Sequence, residues 1–255
     1  MSSVVVHQLW VSGPLSNLEK ISSNSFVQRG FSTVVWSYGG LDNAPKGAEV
    51  RDARLVLPES MIFRGKSGSL AQFSDLFRYA VLNSHGGMWA DTDVVALTQP
   101  ESIGSQPFLV TERDQTKPLK ALAKRLLRRP EGRSVNSNVI YNPSPSTGNI
   151  IDLAYGYARA FPKENIVWGE LGPRLLAAIE SIYPDHGFIV HDPIFANPIN
   201  WWECPRVLMA PGQKLIDSAS FLHLYNETWR RAGVDKNDKF PSGSLMEFLA
   251  EKYLY

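Results

Sequence analysis

Ser74-Asp75-Leu76-Phe77-Arg78-Tyr79-Ala80-Val81-Leu82-Asn83-Ser84-His85-Gly86-Gly87-Met88-Trp89-Ala90-Asp91-Thr92-Asp93 reads as a helix, a stop and a strand. Leu70, Phe73, Leu76, Phe77, Ala80 and Val81 recur at helical spacing, which predicts a helix over about 70–84 with Ser69 as its N-cap. Gly86-Gly87 stops that helix. Asp75 and Arg78 stand three apart on it, and therefore share a face. A strand is expected from Met88, running through Asp91-Thr92-Asp93 into Val94-Val95-Ala96-Leu97. Strand positions two apart point the same way, so both carboxylates are expected to face one cation or ligand. At the rim of so apolar a strand the pair repels itself unless a cation joins it. Carboxylate oxygens with open water positions suit Mg²⁺ or Mn²⁺ rather than a closed zinc site.

Working outward, residues 4–11 and 33–38 are β-branched and aromatic, and 15–30 carries Leu15, Leu18, Ile21 and Val27 at helical spacing. Strand, helix and strand with short connections predict an α/β fold with a mostly parallel central sheet flanked by helices. Ligands of such sheets bind off the carboxyl ends of the strands, here near Trp10–Gly13 and Tyr38–Gly40. Further strands are expected at 135–142 and 188–195, and helices at 150–160, 173–183 and 244–254. Other chemistries find no support. Gly65-Lys66-Ser67 ends like a phosphate loop, but its upstream glycine is Ser60. There is no G-x-G-x-x-G, H-E-x-x-H or G-x-S-x-G. Cys204 has no nucleophile signature around it and reads as packing, and His191-Asp192 as structural.

The 255 residues carry a net charge of +1 and a single cysteine, which excludes a uniformly basic nucleic-acid binder and an internal disulfide. No apolar run is long enough for a membrane span and no targeting signal is evident, so a cytoplasmic protein is expected. The charge is unevenly placed, however. From Lys117 to Arg133 there are seven basic residues and one acid. A basic amphipathic helix is expected over 118–130, either as a solvated face or as a peripheral dock on the anionic inner face of a membrane.

The run from Ser74 to Asp93 resembles the signature of the glycosyltransferases with a D-x-D sugar-binding region: S-D-x-x-R-Y, about eight residues, G-G, a hydrophobic, an aromatic, one more residue, then D-x-D. That family includes bacterial capsule and lipopolysaccharide enzymes, yeast initiating mannosyltransferases, α-1,4-galactosyltransferases and, more distantly, the clostridial glucosylating toxins. His7-Gln8-Leu9-Trp10 resembles its opening strand. His223-Leu224-Tyr225-Asn226-Glu227-Thr228-Trp229 resembles its C-terminal H-x-x-N-x-x-W, and Gly172-Pro173 a recurrent G-P before a helix on the acceptor side. Residues 98–134 show no correspondence.

The resemblance implies a GT-A type nucleotide-sugar-binding fold in one domain over 1–255. Residues 1–97 would form the donor half and 98–255 the acceptor half, with 223–229 closing over the diphosphate and metal. It implies a metal-dependent, retaining hexosyltransferase using Mn²⁺ or Mg²⁺ and a nucleotide sugar, a UDP-sugar by expectation. The acceptor would be a hydroxyl of a glycan or lipid-linked molecule in bacterial surface polysaccharide synthesis. A nucleotide-sugar hydrolase and a toxin-like protein O-glycosyltransferase are the alternatives. By the same resemblance Asp75, Arg78 and Asp91 contact the donor's ribose or sugar, and Asp93 ligates the metal. His223 or Asn226 completes the metal or phosphate contacts. Trp10 and Tyr38 flank the base, Trp229 covers the diphosphate, and Asn136 or Asn138 lies near the reacting carbon.

Overall fold

The computed structural model describes residues 4–114, 133–164 and 166–254, so the basic helix expected over 118–130 lies outside the described residues. Strand β1 (Val5–Leu9) leads into helix α1 (Asn17–Gln28), which returns to β2 (Ser32–Ser37). β1 and β2 are parallel, Val5 facing Ser32 and Leu9 facing Trp36. Ser16 opens α1, and its backbone N–H is met 2.9 Å away by the Glu19 carboxylate, one half of a capping box. β3 (Glu49–Asp52) adds a parallel edge to β2. Its mixed, mostly exposed residues give no apolar alternation, so no strand is expected there from the sequence.

Helix α2 (Ala71–His85) buries Phe73, Leu76, Phe77 and Val81 against the sheet. Gly86 and Gly87 both take positive φ, 68° and 84°. A Cβ on Gly87 would lie 2.7 Å from the Val5 carbonyl oxygen. Glycine at this position lets β4 (Gly87–Ala90) enter the sheet directly beside β1.

Beyond Ala90 the structure departs from the sequence expectation. The strand does not continue through Asp91-Thr92-Asp93. These residues form a turn, closed by the Val94 N–H donating to the Asp91 carbonyl at 3.0 Å. β5 (Val94–Ala96) then leaves the large sheet and pairs antiparallel with β9 (Phe221–His223) in a two-stranded sheet of its own. The two carboxylates therefore belong to a corner between two sheets rather than to one face of one strand.

β6 (Phe108–Arg113), β7 (Arg133–Asn142) and β8 (Ile189–His191) complete the seven-stranded sheet in the order β3-β2-β1-β4-β7-β6-β8. β7 runs antiparallel to β4 and β6, while the remaining four pairings are parallel, so the sheet is mostly parallel with one reversed strand. The strand expected over 188–195 is cut to three residues, because Pro193 opens a 3-10 turn over Pro193–Phe195. Helices α3 (Ile150–Ala160) and α4 (Pro173–Ile182) pack with α2 over one face, whereas α6 (Leu245–Tyr253) packs on α1. Between β9 and α6 lies α5 (Asn226–Ala232).

Candidate active site

The carboxyl end of β4, the Asp91–Asp93 corner and the end of β9 converge. Val94 pairs with His223, and the Leu224 N–H donates to the Asp93 carbonyl at 2.8 Å. This short ladder is what carries a histidine from far along the chain to the corner. One ligand atom each from Asp91, Asp93 and His223 lies within 4.8 Å of the others. His223 Nε2 is 3.4 Å from Asp93 Oδ1, and the Asn226 backbone N–H donates to Asp93 Oδ2 at 2.7 Å. Two carboxylates and an imidazole form a donor set that fits a divalent cation, and this is the only such cluster among the described residues.

Arg78 ties this group to α2. Its Nη1 donates to Asp75 Oδ1 at 2.6 Å, its Nη2 to Asp91 Oδ1 at 2.7 Å, and its guanidinium lies 5.2 Å from the Trp89 ring centroid. Trp89 Nε1 donates to the same Asp91 oxygen at 2.7 Å. One guanidinium thus serves two carboxylates, and its charge cannot neutralise both. Burial accordingly pushes the Asp75 carboxyl up to about 7 against the pull of Arg78, with Asp91 adding to the rise. Asp91 is also raised, by burial first and by Asp93, although Arg78 opposes this. Asp93 differs. Burial works to raise it, but His223 and the Asn226 amide outweigh burial and hold it below the usual carboxylate range. Reciprocally, burial opposes protonation of His223, and Asp93 overcomes it, so that the imidazole is raised.

Gly172 explains the G-P element. A Cβ there would lie 2.7 Å from Asp75 Oδ1, so only glycine lets the chain pass against that carboxylate before Pro173 starts α4.

The remaining expected residues divide. Asn136 and Asn138 are buried on β7 near the corner, where the Asp91 N–H donates to the Asn138 carbonyl at 2.9 Å. Asn136 Nδ2 donates to Glu112 at 2.8 Å, and its Oδ1 accepts from the Asn138 N–H at 3.1 Å. Trp10 stands half-buried just past β1, its Nε1 donating to the Gly13 carbonyl at 2.8 Å and Lys236 Nζ 6.0 Å from its ring centroid. Tyr38 and Trp229 are packed into the core. Tyr38 packs on Phe73 and Phe77 and donates its hydroxyl to the Leu57 carbonyl at 2.9 Å. Trp229 is fully buried beside Phe240, with Nε1 donating to the Leu224 carbonyl at 2.8 Å. The Asn226 side chain also turns away, its Nδ2 donating to Glu19 at 3.0 Å. Only its backbone reaches Asp93.

Four neighbours of the site are not evident from the sequence. Gln8 donates to the Asp91 carbonyl at 3.4 Å, and Glu112 approaches through Asn136. Glu19 is fully buried and ion-paired to Lys236. Ser16-Asn17-Leu18-Glu19 does spell a capping box, which is the one signal available for it. Asn197 sits in an irregular stretch and offers none.

Residues 57–109 match the family described as glycosyltransferase sugar-binding region containing DXD motif. The match takes in α2, β4 and the Asp91–Asp93 corner, so this part of the chain carries that family's sugar-binding region. Among solved structures it is similar to the apo-form glycosyltransferase GlyE of Streptococcus pneumoniae TIGR4, at 12% identity and a TM-score of 0.50. That match covers 100% of this chain and 61% of that one, so the chain spans less than two thirds of the GlyE structure. It also aligns with PaToxG Glycosyltransferase at 16% identity and a TM-score of 0.46, covering 99% of this chain and 85% of that one. An active-site mutant of LgtC aligns at 8% identity and a TM-score of 0.45 over 86% of each chain. Likeness at such identities concerns the fold alone. No curated protein matches by sequence.

Proposed function

We propose that the chain is a divalent-cation-dependent, retaining hexosyltransferase that moves a sugar from a UDP-sugar to a hydroxyl of a glycan or lipid-linked acceptor in bacterial surface polysaccharide synthesis. The observation that carries this reading is the convergence of Asp91, Asp93 and His223 within 4.8 Å, beside the Arg78 bridge to Asp75. Asp93 and His223 would hold Mn²⁺ or Mg²⁺, with Asp91 at its edge. Such a cation neutralises charge that develops on a diphosphate leaving group. Arg78 fixes the Asp91 carboxylate, which keeps about a quarter of its side-chain surface open to a donor hydroxyl. Trp10, at the carboxyl end of β1, is where the base would lie.

For the transfer itself we favour front-face attack. The acceptor oxygen bonds to the anomeric carbon as the carbon–phosphate oxygen bond breaks on the same side, and the acceptor proton passes to the leaving phosphate. Positive charge rises on the sugar meanwhile, which an amide oxygen can stabilise. Asn138 suits this better than Asn136: its Oδ1 is buried without a hydrogen-bond partner, whereas both ends of the Asn136 amide are engaged. The basic run from Lys117 to Arg133 supports docking at an anionic membrane that presents a lipid-linked acceptor. No helix among the described residues is long and apolar enough to cross a membrane.

The test is a panel of nucleotide sugars with Mn²⁺ or Mg²⁺, measuring released nucleotide with and without glycan acceptors and the anomeric configuration of the product. Acceptor-stimulated release with retained configuration is expected, and Asp93→Asn should abolish both turnover and its metal dependence. Unchanged turnover in that variant refutes the reading. Release that no acceptor accelerates would instead make the chain a nucleotide-sugar hydrolase, and a covalent glycosyl-enzyme would exclude front-face attack.

A further inference from the structure

The side of His223 remote from Asp93 is as closely specified as the side that faces it. His223 Nδ1 lies 3.2 Å from Asn197 Oδ1. That oxygen also accepts from Asn138 Nδ2 at 3.0 Å and from the Tyr225 hydroxyl at 3.2 Å. Asn197 is 1% exposed and its side-chain amide cannot be reversed, because the opposite end, Nδ2, donates to the Thr111 carbonyl at 2.9 Å. A carbonyl oxygen accepts and never donates, so the NH₂ group must face Thr111 and the oxygen must face the histidine.

We propose that Asn197 is a positioning residue that fixes His223 as the Nδ1–H tautomer and thereby presents the Nε2 lone pair to a divalent cation held with Asp91 and Asp93. An oxygen acceptor opposite Nδ1 requires a proton on that nitrogen. In the neutral imidazole the lone pair then falls on Nε2, the nitrogen 3.4 Å from Asp93 Oδ1. Cation binding displaces a proton from Nε2 only and leaves the bond to Asn197 intact. The backbone holds both partners in place: the His223 N–H donates to the Ala196 carbonyl at 3.1 Å, and the Asn197 N–H to the Pro193 carbonyl at 2.7 Å. The Tyr225 ring lies 3.9 Å from the imidazole, centroid to centroid, which limits ring rotation. Side chains behind metal-bound histidines commonly fix tautomer and orientation, and their loss weakens metal binding by about 10–100-fold.

This proposal rests on the cation site proposed above, and two readouts separate their failures. The first is the ring ¹⁵N spectrum of the Mg²⁺-saturated full chain, which reports the tautomer of each of the five histidines. His223 should show a protonated Nδ1 and a lone pair at Nε2. The second is Mn²⁺ affinity by calorimetry without any nucleotide sugar. Asn197→Leu should weaken Mn²⁺ about 10–100-fold and release the tautomer preference. Asn197→Asp should preserve both, because a protonated carboxyl can donate to Thr111 and still accept from Nδ1. An Nε2–H tautomer in the wild-type protein overturns the proposal whether or not the leucine variant folds. So does a folded Asn197→Leu protein with undiminished Mn²⁺ affinity. If the wild-type chain binds no Mn²⁺ yet His223 is Nδ1–H, the cation site fails while the tautomer assignment stands.

Discussion

Arg78 is the side chain whose removal should reveal most about the site's electrostatics. It is 3% exposed and makes two charge-assisted hydrogen bonds, at 2.6 and 2.7 Å, to the carboxylates of Asp75 and Asp91. Arg78→Met keeps the volume and deletes the charge, leaving the buried Asp75 carboxylate and the partly exposed Asp91 carboxylate with no cation between them. Breaking a buried pair in this way costs about 3–5 kcal/mol, a large share of the ~5–15 kcal/mol that holds a domain folded. At about 2–4 °C per kcal/mol for a chain of this size, the melting temperature should fall by roughly 6–20 °C near pH 8. The sign of the pH dependence follows from Asp75. Its folded carboxyl is already raised to about 7. Between its unfolded value near 4 and that point the folded state binds more protons than the unfolded, so stability falls as pH rises through the window. Without Arg78 the folded value moves higher and the fall extends to more alkaline pH. The gap between variant and wild type should therefore be wide at pH 8.5 and narrow at pH 5.5, where Asp75 is protonated in both. Urea unfolding at the two pH values measures it. A gap below about 1 kcal/mol at pH 8.5, or one that is the same at both pH values, would refute the shared-guanidinium account.

Three further outcomes are expected. Mn²⁺ at 100 times its dissociation constant should stabilise the chain by about 2.7 kcal/mol, seen as a rise of roughly 5–11 °C in melting temperature that Asp93→Asn removes. Glu19→Ala should destabilise by about 1–3 kcal/mol in urea melts, since it strands the Asn226 amide and leaves Lys236, itself only partly buried, without its partner. A loss under about 0.5 kcal/mol would mean the contact is incidental. His7, buried between Trp36 and the Gly86 carbonyl, is held by burial at about 4, and so should stay neutral in an NMR titration until well below pH 6. Because the unfolded ring protonates near 6.5, stability should fall as pH drops from there toward 4; an inflection near 6.5 for this ring would contradict its burial.

What the sequence discloses depends on how locally each element is determined. Helix α2, the Gly86-Gly87 stop and the Asp75–Arg78 pair are set by neighbours within one stretch, and were legible. The strands β1 and β2 were legible for the same reason, as was the parallel direction that α1 imposes. The reversal of β7 was not, because strand direction is a property of the returning chain and leaves no mark on residues 135–142. The Asp91–Asp93 corner reads as continuous strand since Val94 to Ala96 is as β-prone as Met88 to Ala90, and nothing local says that the two runs join different sheets. Aromatic residues mislead most. Tyr38 and Trp229 look the same on paper whether they face a ligand or the core, and only packing against Phe73, Phe77 and Phe240 decides. Asn197 is invisible in the sequence, because its importance lies wholly in partners from β6, β7, β9 and the segment after β9.

The corner at Asp91-Thr92-Asp93 has a consequence for how the protein acquires its activity. The motif looks self-contained in sequence, yet the Asn226 amide that holds Asp93 lies 133 residues further along the chain. A nascent chain that has finished β4 and β5 owns both aspartates and none of the geometry. Competence arrives only when β9 docks, through contacts of long sequence separation. A cation bridging the corner would then rivet the small sheet to the large one. The segment from β9 onward thus acts as an assembly checkpoint, and fragments ending before Phe221 should carry the Ser74–Asp93 signature yet remain inert.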